Sequence, residues 1–284
     1  MSTRIIRGAF SVVIAMGSMF SASVASADVI VTPADVNALP VDISPPSDPT
    51  FNTTEEWNLY IRNNANTEIT GNEPRDGDGS LELSSTGGPD KGEATLVPDA
   101  GFGYLSDLTE LSYDWYRDSS SDAADHFQPA IRIMVVDYNV ATSSYVYTQL
   151  IFEGVYNGEP VADEDVWVEQ VIDLDDDILW QFYSGVGVTE NYTQTLVDWQ
   201  DGTHVAGWEY TSNAFVYGIN VGIGSGWAND FLGYVDNVHI AFDGGLSETW
   251  NFELKAPVVP EPATMGLLGM ALAGFAARRL RVRG

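Results

Sequence analysis

The chain contains no cysteine and little positive charge. Without cysteine there are no disulfide bonds, thiolate metal ligands or cysteine nucleophiles, so the fold has to rely on its hydrophobic core. The only histidines are His126, His204 and His239, and none lies in a motif typical of a zinc site or a Ser-His-Asp triad. Twelve Lys and Arg stand against 41 Asp and Glu, a formal net charge of −29. We expect no nucleic-acid partner, because phosphates require a basic face.

The first 27 residues have the three parts of a secretory signal peptide. Two arginines precede an apolar stretch over 9–20, and Ala25 and Ala27 supply the small residues of a cleavage site. We therefore expect residues 1–27 to be removed during export through the inner membrane, and the mature chain to begin at Asp28.

The other end of the chain combines a Pro-Glu-Pro turn, a short apolar segment and an arginine-rich terminus. The apolar run over 263–277 is 15 residues long, below the roughly 17–25 residues of a stable transmembrane helix. Clustered arginines after an apolar segment indicate a cytoplasmic end. The pattern predicts a helix that holds the chain in the inner membrane only briefly.

The segment V-P-E-P-A-T-M-G-L-L-G-M-A-L-A-G-F-A-A-R-R-L-R resembles the PEP-CTERM sorting signal of Gram-negative bacteria. This resemblance implies recognition by exosortase, a membrane-embedded enzyme with a cysteine nucleophile, and removal of the hydrophobic tail. It also implies a mature protein at the cell surface, outer membrane or extracellular matrix, where this sorting family is associated with exopolysaccharide and biofilm. The residues of the sorting motif are then Pro260, Glu261, Pro262, Arg278, Arg279 and Arg281.

Between the two terminal signals the chain is even more acidic. All six arginines of the signal peptide and the tail are removed with them, which leaves six basic and 41 acidic residues and a formal charge of −35. So strong a field favours solubility, divalent cations or a cationic partner. A saline habitat would produce the same surface, and the composition alone does not separate these readings.

Short β-branched and aromatic segments, separated by Gly, Asn, Asp and Ser, predict an all-β fold. With no long amphipathic helix, the pattern indicates one antiparallel, jelly-roll-like β-sandwich over 51–254, after a Pro- and Asp-rich leader over 28–50 with at most one short strand and before a sorting segment over 255–284. The ten predicted strands are 57–62, 80–84, 93–97, 110–116, 130–138, 145–152, 167–173, 215–222, 233–242 and 248–252.

Four short motifs, at 79–83, 167–170, 224–227 and 233–238, are similar in their order to jelly-roll domains of the galactose-binding-like class. The resemblance implies the fold and is compatible with a carbohydrate-binding module. It implies no particular activity, because jelly rolls host many unrelated functions.

Two acidic features are candidates for calcium. Asp76 and Asp78 alternate with glycines in a turn that leads into a strand, and Asp236 lies in an otherwise apolar strand. Carboxylate oxygens on a bending turn suit Ca²⁺, and in jelly-roll modules an aspartate at the position matching Asp236 often serves a structural calcium. The alternative is an ordinary β-turn beside a hydrogen-bonded aspartate. A third cluster, at 173–177, is expected to be a solvated loop.

Aromatic side chains leave a sugar platform open as an interpretation. Trp227 lies in a loop-like context, and Trp199 and Trp208 flank an Asp-Gly pair. An exposed ring of this kind would stack on a sugar, whereas most tryptophans of a β-protein belong to its core.

We therefore expect a non-catalytic surface or matrix protein associated with exopolysaccharide. A carbohydrate-binding module with structural calcium is the first alternative, and a glycan-active hydrolase is the second. The sequence contains neither the E-x-D-x-x-E strand of sandwich-fold glycosidases nor a G-x-S-x-G elbow.

Overall fold

A computed structural model describes residues 28–39, 54–183, 186–189, 191–201 and 207–256. Two β-sheets account for most of these residues, and the pairing between their strands is antiparallel except at two edges. The helical elements are α1 (Leu196–Asp201) and the 3₁₀ turns Leu105–Asp107 and Gly154–Tyr156. The sheets form the predicted β-sandwich.

The first sheet has seven strands. They are β1 (Val29–Val31), β4 (Asn66–Thr70), β5 (Ser80–Ser85), β8 (Leu108–Arg117), β11 (Trp167–Val171), β15 (Phe231–Phe242) and β16 (Ser247–Phe252). The long strand β15 lies at its centre, with β8 and then β11 on one side. On its other side β15 pairs with β5 along its first half and with β16 along its second half.

The second sheet has nine strands. They are β2 (Val36–Leu39), β3 (Thr54–Arg62), β6 (Lys91–Val97), β7 (Gly103–Tyr104), β9 (Ala130–Asn139), β10 (Ser144–Phe152), β12 (Leu179–Tyr183), β13 (Gly187–Val188) and β14 (Phe215–Ile223). Their order is β13-β12-β10-β9-β14-β6-β3-β2, with β7 beside β14.

Alternate residues of the strands fill the space between the sheets, as the period of two requires. On β9, Ile131, Ile133 and Val135 belong to the core, so their neighbours point away from it. Aromatic contacts join the two layers: Trp57 of the larger sheet meets Trp250 of the smaller one edge to face, with ring centroids 5.8 Å apart.

All ten predicted strands are confirmed, within one or two residues at most ends. The leader is different. It contains two strands rather than at most one: β1 pairs in parallel with β16, and β2 in parallel with β3. Each sheet thus takes an edge strand from the segment interpreted as a leader, so the sandwich begins at Val29 and not at residue 51.

Candidate functional site

The predicted sorting residues lie outside the described part of the chain. They are Pro260, Glu261, Pro262, Arg278, Arg279 and Arg281. The predicted helix over 263–277 lies there too. Among the residues that are described, no helix combines the length and apolar character needed to cross a membrane.

The 71–79 loop, which connects β4 to β5, brings the predicted aspartate turn to the strand that carries Asp236. Asn237 Nδ2 donates to Asp76 Oδ2 at 2.5 Å and to Asp114 Oδ2 at 2.9 Å. The register between β15 and β8 shifts at this point, and such a bulge re-aims the side chains of the bulged strand. The structure therefore brings Asp76 into contact with Asn237, the residue that follows Asp236.

The same loop is fastened to the end of β16. Asp78 Oδ1 accepts the backbone N–H groups of Leu254 at 3.0 Å and Lys255 at 3.3 Å. In return, Glu253 Oε2 accepts the N–H groups of Asp78 at 2.5 Å and Gly79 at 2.9 Å. Both carboxylates therefore bind backbone N–H groups, and together they join the 71–79 loop to the segment that follows β16.

Asp236 is fully buried, and only half of its carboxyl group has partners. Oδ1 accepts the N–H groups of Asn237 and Phe252, both at 2.8 Å, whereas Oδ2 has no hydrogen-bond partner in the described structure. Burial raises the pKa of Asp236 to about 8; the two N–H groups oppose this rise, and the charges of Glu253 and Asp114 add to it. At neutral pH the carboxyl therefore holds a proton unless a cation takes its place.

The oxygens around Asp236 suit a calcium ion in kind, but they are not all available. Asp236 Oδ2 and Asn251 Oδ1 are buried without a partner, and Ca²⁺ takes 6–8 oxygen ligands. Asp76 and Asp78 already accept hydrogen bonds. Among the described residues, no group of three or more acidic or histidine side chains is arranged to hold a metal ion. A calcium ion here would use Asp236, and Asp76 and Asp78 would have to turn from their present partners.

The three candidate tryptophans are not exposed ring platforms. Trp199 is fully buried in the core and donates its indole N–H to Leu179 O at 2.7 Å. Trp227 is 7% exposed and stacks on Phe127 at 4.4 Å. Trp208 is half-buried and donates to Asp137 Oδ2 at 3.1 Å. Large aromatic side chains in such positions serve packing.

A different surface has the chemistry of a binding site. We call the side of the nine-stranded sheet that turns away from the core the outer face. A row of directly opposed residues crosses six strands on it, from β3 to β12. The members of this row are Asn58, Thr95, Asn220, Arg132, Ile151 and Trp180. All of them except Trp180 are buried although they face away from the core, so the row is recessed.

Two cations share one carboxylate beside this row. Glu93 Oε1 lies 2.7 Å from Lys91 Nζ and 3.1 Å from Arg132 Nη1. The same Nη1 donates to Asn220 Oδ1 at 2.6 Å, and Asn220 Nδ2 donates to Thr95 Oγ1 at 2.6 Å. Burial lowers the pKa of Lys91; the charge of Glu93 opposes this and that of Arg132 adds to it. The cluster is therefore a connected polar network with more positive than negative groups.

The other end of the outer face is aromatic. Tyr138 of β9 and Tyr145 of β10 are direct cross-strand partners with ring centroids 5.2 Å apart, and they are 41% and 65% exposed. Next to them, Tyr147 meets Tyr217 edge to face at 5.8 Å. Exposed aromatic faces beside a polar recess are suited to a ligand with apolar ring faces and hydroxyl edges.

Glu153 directly follows β10 and completes the recess. Its Oε2 accepts the indole N–H of Trp180 at 3.0 Å. Burial raises the pKa of Glu153, and the nearby charge of Arg132 opposes the rise. Continued by one residue, the β9–β10 register places Glu153 opposite Ala130, in line with Gly222 and Glu93. Along this line, the small residues Ala130 and Gly222 lie between Glu153 and Glu93.

The alternation in β9 is the signal that could have found Arg132. Ile131 and Ile133 are core residues, and the arginine between them points outward from a chain with few cations. That Arg132 of β9 joins Lys91 and Glu93, which are both on β6, has no signal in the sequence, because the two strands are distant along the chain.

Comparison with known families bears on the C-terminus. Residues 258–281 match the model of the PEP-CTERM protein-sorting motif, as the sequence predicts. The motif implies that this is an exported protein, processed by an exosortase and sorted to the cell surface. No curated protein matches the chain.

The solved structures that are similar to this chain have low sequence identity to it. A family 11 carbohydrate-binding module of the cellulase Lic26A-Cel5E of Clostridium thermocellum is 14% identical over 68% of this chain and 91% of its own, with a TM-score of 0.35. A putative sugar binding protein from Bacteroides thetaiotaomicron is 10% identical over 72% and 93%, with a TM-score of 0.37.

A further carbohydrate-binding module, of the β-sandwich superfamily, is 14% identical to this chain, with a TM-score of 0.33. The match covers 65% of this chain and only 56% of that protein. Enzymes are also among the similar chains, one of them a β-1,2-glucanase. Scores of this size carry no argument about function, which has to come from the site itself.

Proposed function

We propose that this exported protein binds extracellular polysaccharide without cleaving it, and that the glycan lies on the outer face. The observation that carries the proposal is the outer face itself, where the exposed rings of Tyr138 and Tyr145 lie at one end and a recessed row of amide, hydroxyl and guanidinium groups crosses six strands at the other. Sugars are recognised by this combination, since their hydroxyl groups need directed hydrogen bonds and their ring faces stack on aromatic side chains.

Tyr145→Ala tests the aromatic end of the site. We expect the variant to bind polysaccharide about fivefold more weakly than the wild type, since an exposed aromatic contact contributes on the order of 1 kcal/mol. Affinity electrophoresis against a panel of bacterial exopolysaccharides measures the change. Tyr145→Phe keeps the ring and is the matched control, so equal losses in both variants would contradict stacking. No affinity of the wild type for any glycan would end the proposal.

Structural calcium is the second part of the proposal. The buried, unpartnered Oδ2 of Asp236 supports it. We expect the melting temperature to rise with added Ca²⁺ and to fall with EDTA, because a ligand that binds only the folded state stabilises it. Asp236→Asn should abolish the response. Indifference of the wild type to both additions would reject calcium.

Glycan hydrolysis is the other candidate function, and the facing glutamates of the recess favour it. Three strand spacings separate the backbones of Glu93 and Glu153, about 14 Å, whereas glycosidases hold their carboxyl groups about 5–9.5 Å apart. Their side chains would have to reach towards each other. Release of reducing sugars by the wild type, lost in Glu153→Gln, would replace the binding proposal with this one.

A further inference from the structure

Half of the basic residues between the two predicted terminal signals lie on the outer face. Six basic residues remain between the predicted signal peptide and the tail, and three of them, Arg62, Lys91 and Arg132, lie on β3, β6 and β9. Of these, Lys91 and Arg132 retain only 14% and 6% of their side-chain exposure. Buried charges are normally paired one to one. Here two nearly buried cations share one carboxylate.

The guanidinium group of Arg132 is only half used. Both of its protein contacts, with Asn220 and Glu93, go through Nη1. Its Nε and Nη2 have no hydrogen-bond partner among the described residues, and neither is fully enclosed. The Nε–Nη2 edge is one of the two forks with which arginine binds a carboxylate bidentately. Beside it stands Gly224, where even a Cβ atom would lie 3.8 Å from Nη2.

The acids near this edge have other partners. Glu93 meets Arg132 only at Nη1 and also pairs with Lys91, and Glu153 accepts the indole N–H of Trp180. The Nε–Nη2 edge of Arg132 is therefore a vacant bidentate donor.

We infer that the outer face recognises an acidic polysaccharide, with a uronic acid carboxylate on the Nε–Nη2 edge of Arg132 and Lys91 as the supporting charge. This rests on the proposed function and specifies its ligand class. The chain's overall negative charge does not prevent such a contact, because at physiological salt charges are screened beyond about 8 Å. A bidentate pair within the recess is shorter than that.

The test compares one polymer in two forms: alginate, and alginate whose carboxyl groups have been reduced to alcohols. Calorimetry with the purified protein should give at least about tenfold tighter binding of the acidic form, the strength of a charged hydrogen-bonded pair. Arg132→Gln should lose this preference while leaving Glu93 paired with Lys91. Lys255→Gln, which removes a cation with an 80% exposed side chain, is the charge-matched control and should keep it.

Two more variants separate loss of the contact from misfolding, because a misfolded protein would give neither of the expected results. Arg132→Lys keeps the charge but lacks the two-pronged edge, and it should show an intermediate preference for the acidic form. Glu93→Gln removes the carboxylate that competes for Arg132, and it should bind the acidic form more tightly. Equal binding of the two polymers by the wild type would overturn the inference and leave glycan binding intact. Binding of neither polymer, nor of any neutral glycan, would overturn the proposed function as well.

Discussion

The outward sides of the two sheets bury ionisable groups of opposite type, an acid on one and two bases on the other. On the seven-stranded sheet, the buried group is the carboxyl of Asp236, whose Oδ2 has no partner among the described residues. On the nine-stranded sheet, it is the cation pair of Lys91 and Arg132 around Glu93. The chain's own 71–79 loop binds beside the first site, whereas the guanidinium edge of the second is vacant. One arrangement therefore serves the fold, and the other is open to a ligand.

The pH dependence of stability should show the largest effect, and we expect Asp236 of the first site to dominate it, because its pKa is raised as far as about 8. Between its ordinary pKa of 3.8 and about 8, Asp236 keeps its proton in the folded state and loses it in the unfolded state. Unfolding then releases a proton, so stability falls as pH rises, by up to about 1.4 kcal/mol per pH unit. Urea unfolding at pH 5, 6, 7 and 8 in a calcium-free buffer measures this slope.

Asp236→Asn should flatten the slope, since the amide does not titrate. Asp243→Asn, at an exposed aspartate after β15, is the matched control and should keep it. If the slope is the same in all three proteins, the titrating group lies elsewhere and the contrast between the sheets is weaker than we describe.

Two glycines compare the closeness of packing at the two sites. A Cβ at Gly79 would lie 2.7 Å from Leu254 N, and one at Gly222 would lie 2.4 Å from Gly92 O. Because both neighbours are backbone atoms, each Gly→Ala variant should lose about 1–3 kcal/mol in unfolding free energy. Only Gly222→Ala should also weaken glycan binding.

Gly245→Ala is the control for these substitutions, since its Cβ would meet only ordinary contacts at 3.6 Å or more. Chemical denaturation gives the stabilities and calorimetry the affinities. Unchanged stability of Gly79→Ala would show that the loop is not held against β16.

The smallest effect is expected from the ion pairs of the 71–79 loop. Arg75 Nε lies 3.0 Å from Asp114 Oδ2, and Arg75 is about a third exposed. Arg75→Gln should cost about 0.2–1 kcal/mol, as partly exposed pairs do, while Lys255→Gln should be near neutral. Thermal unfolding measures both. A loss above that of Gly79→Ala would mean that charge and not backbone packing holds the loop.

Local patterns determine much of this fold, and they predict it. The apolar alternation around Ile131 and Ile133 identifies β9 because a half-buried strand requires a period of two. The edge strand β1 has three residues and no such period, so it could not be recognised. β12 follows the aspartate cluster at 173–177, where Asp177 Oδ2 accepts the N–H of Asp173 at 2.8 Å and forms a turn. The strand β12, which begins two residues after this turn, is not among the ten predicted strands.

The sites are less predictable than the strands, because their partners come from far along the chain. The glycines around Asp78 correctly indicated a turn. The hydrogen bonds that the Asp78 carboxylate accepts from Leu254 and Lys255 could not be predicted, because those residues come from the other end of the domain. The residue type of the tryptophans did not show whether their rings face the core or the solvent. Trp199, for example, is buried because α1 packs on the core. Calcium stays a prediction.

The parallel pairing of β1 with β16 joins the two ends of the sandwich, with Glu253 N donating to Val31 O at 2.8 Å. A chain exported from its N-terminus delivers β1 first and β16 last, just ahead of the sorting motif. Contacts this distant in sequence form late, because the intervening loop must close before they are gained. The strand that completes the seven-stranded sheet therefore lies at the end of the domain, directly before the sorting motif.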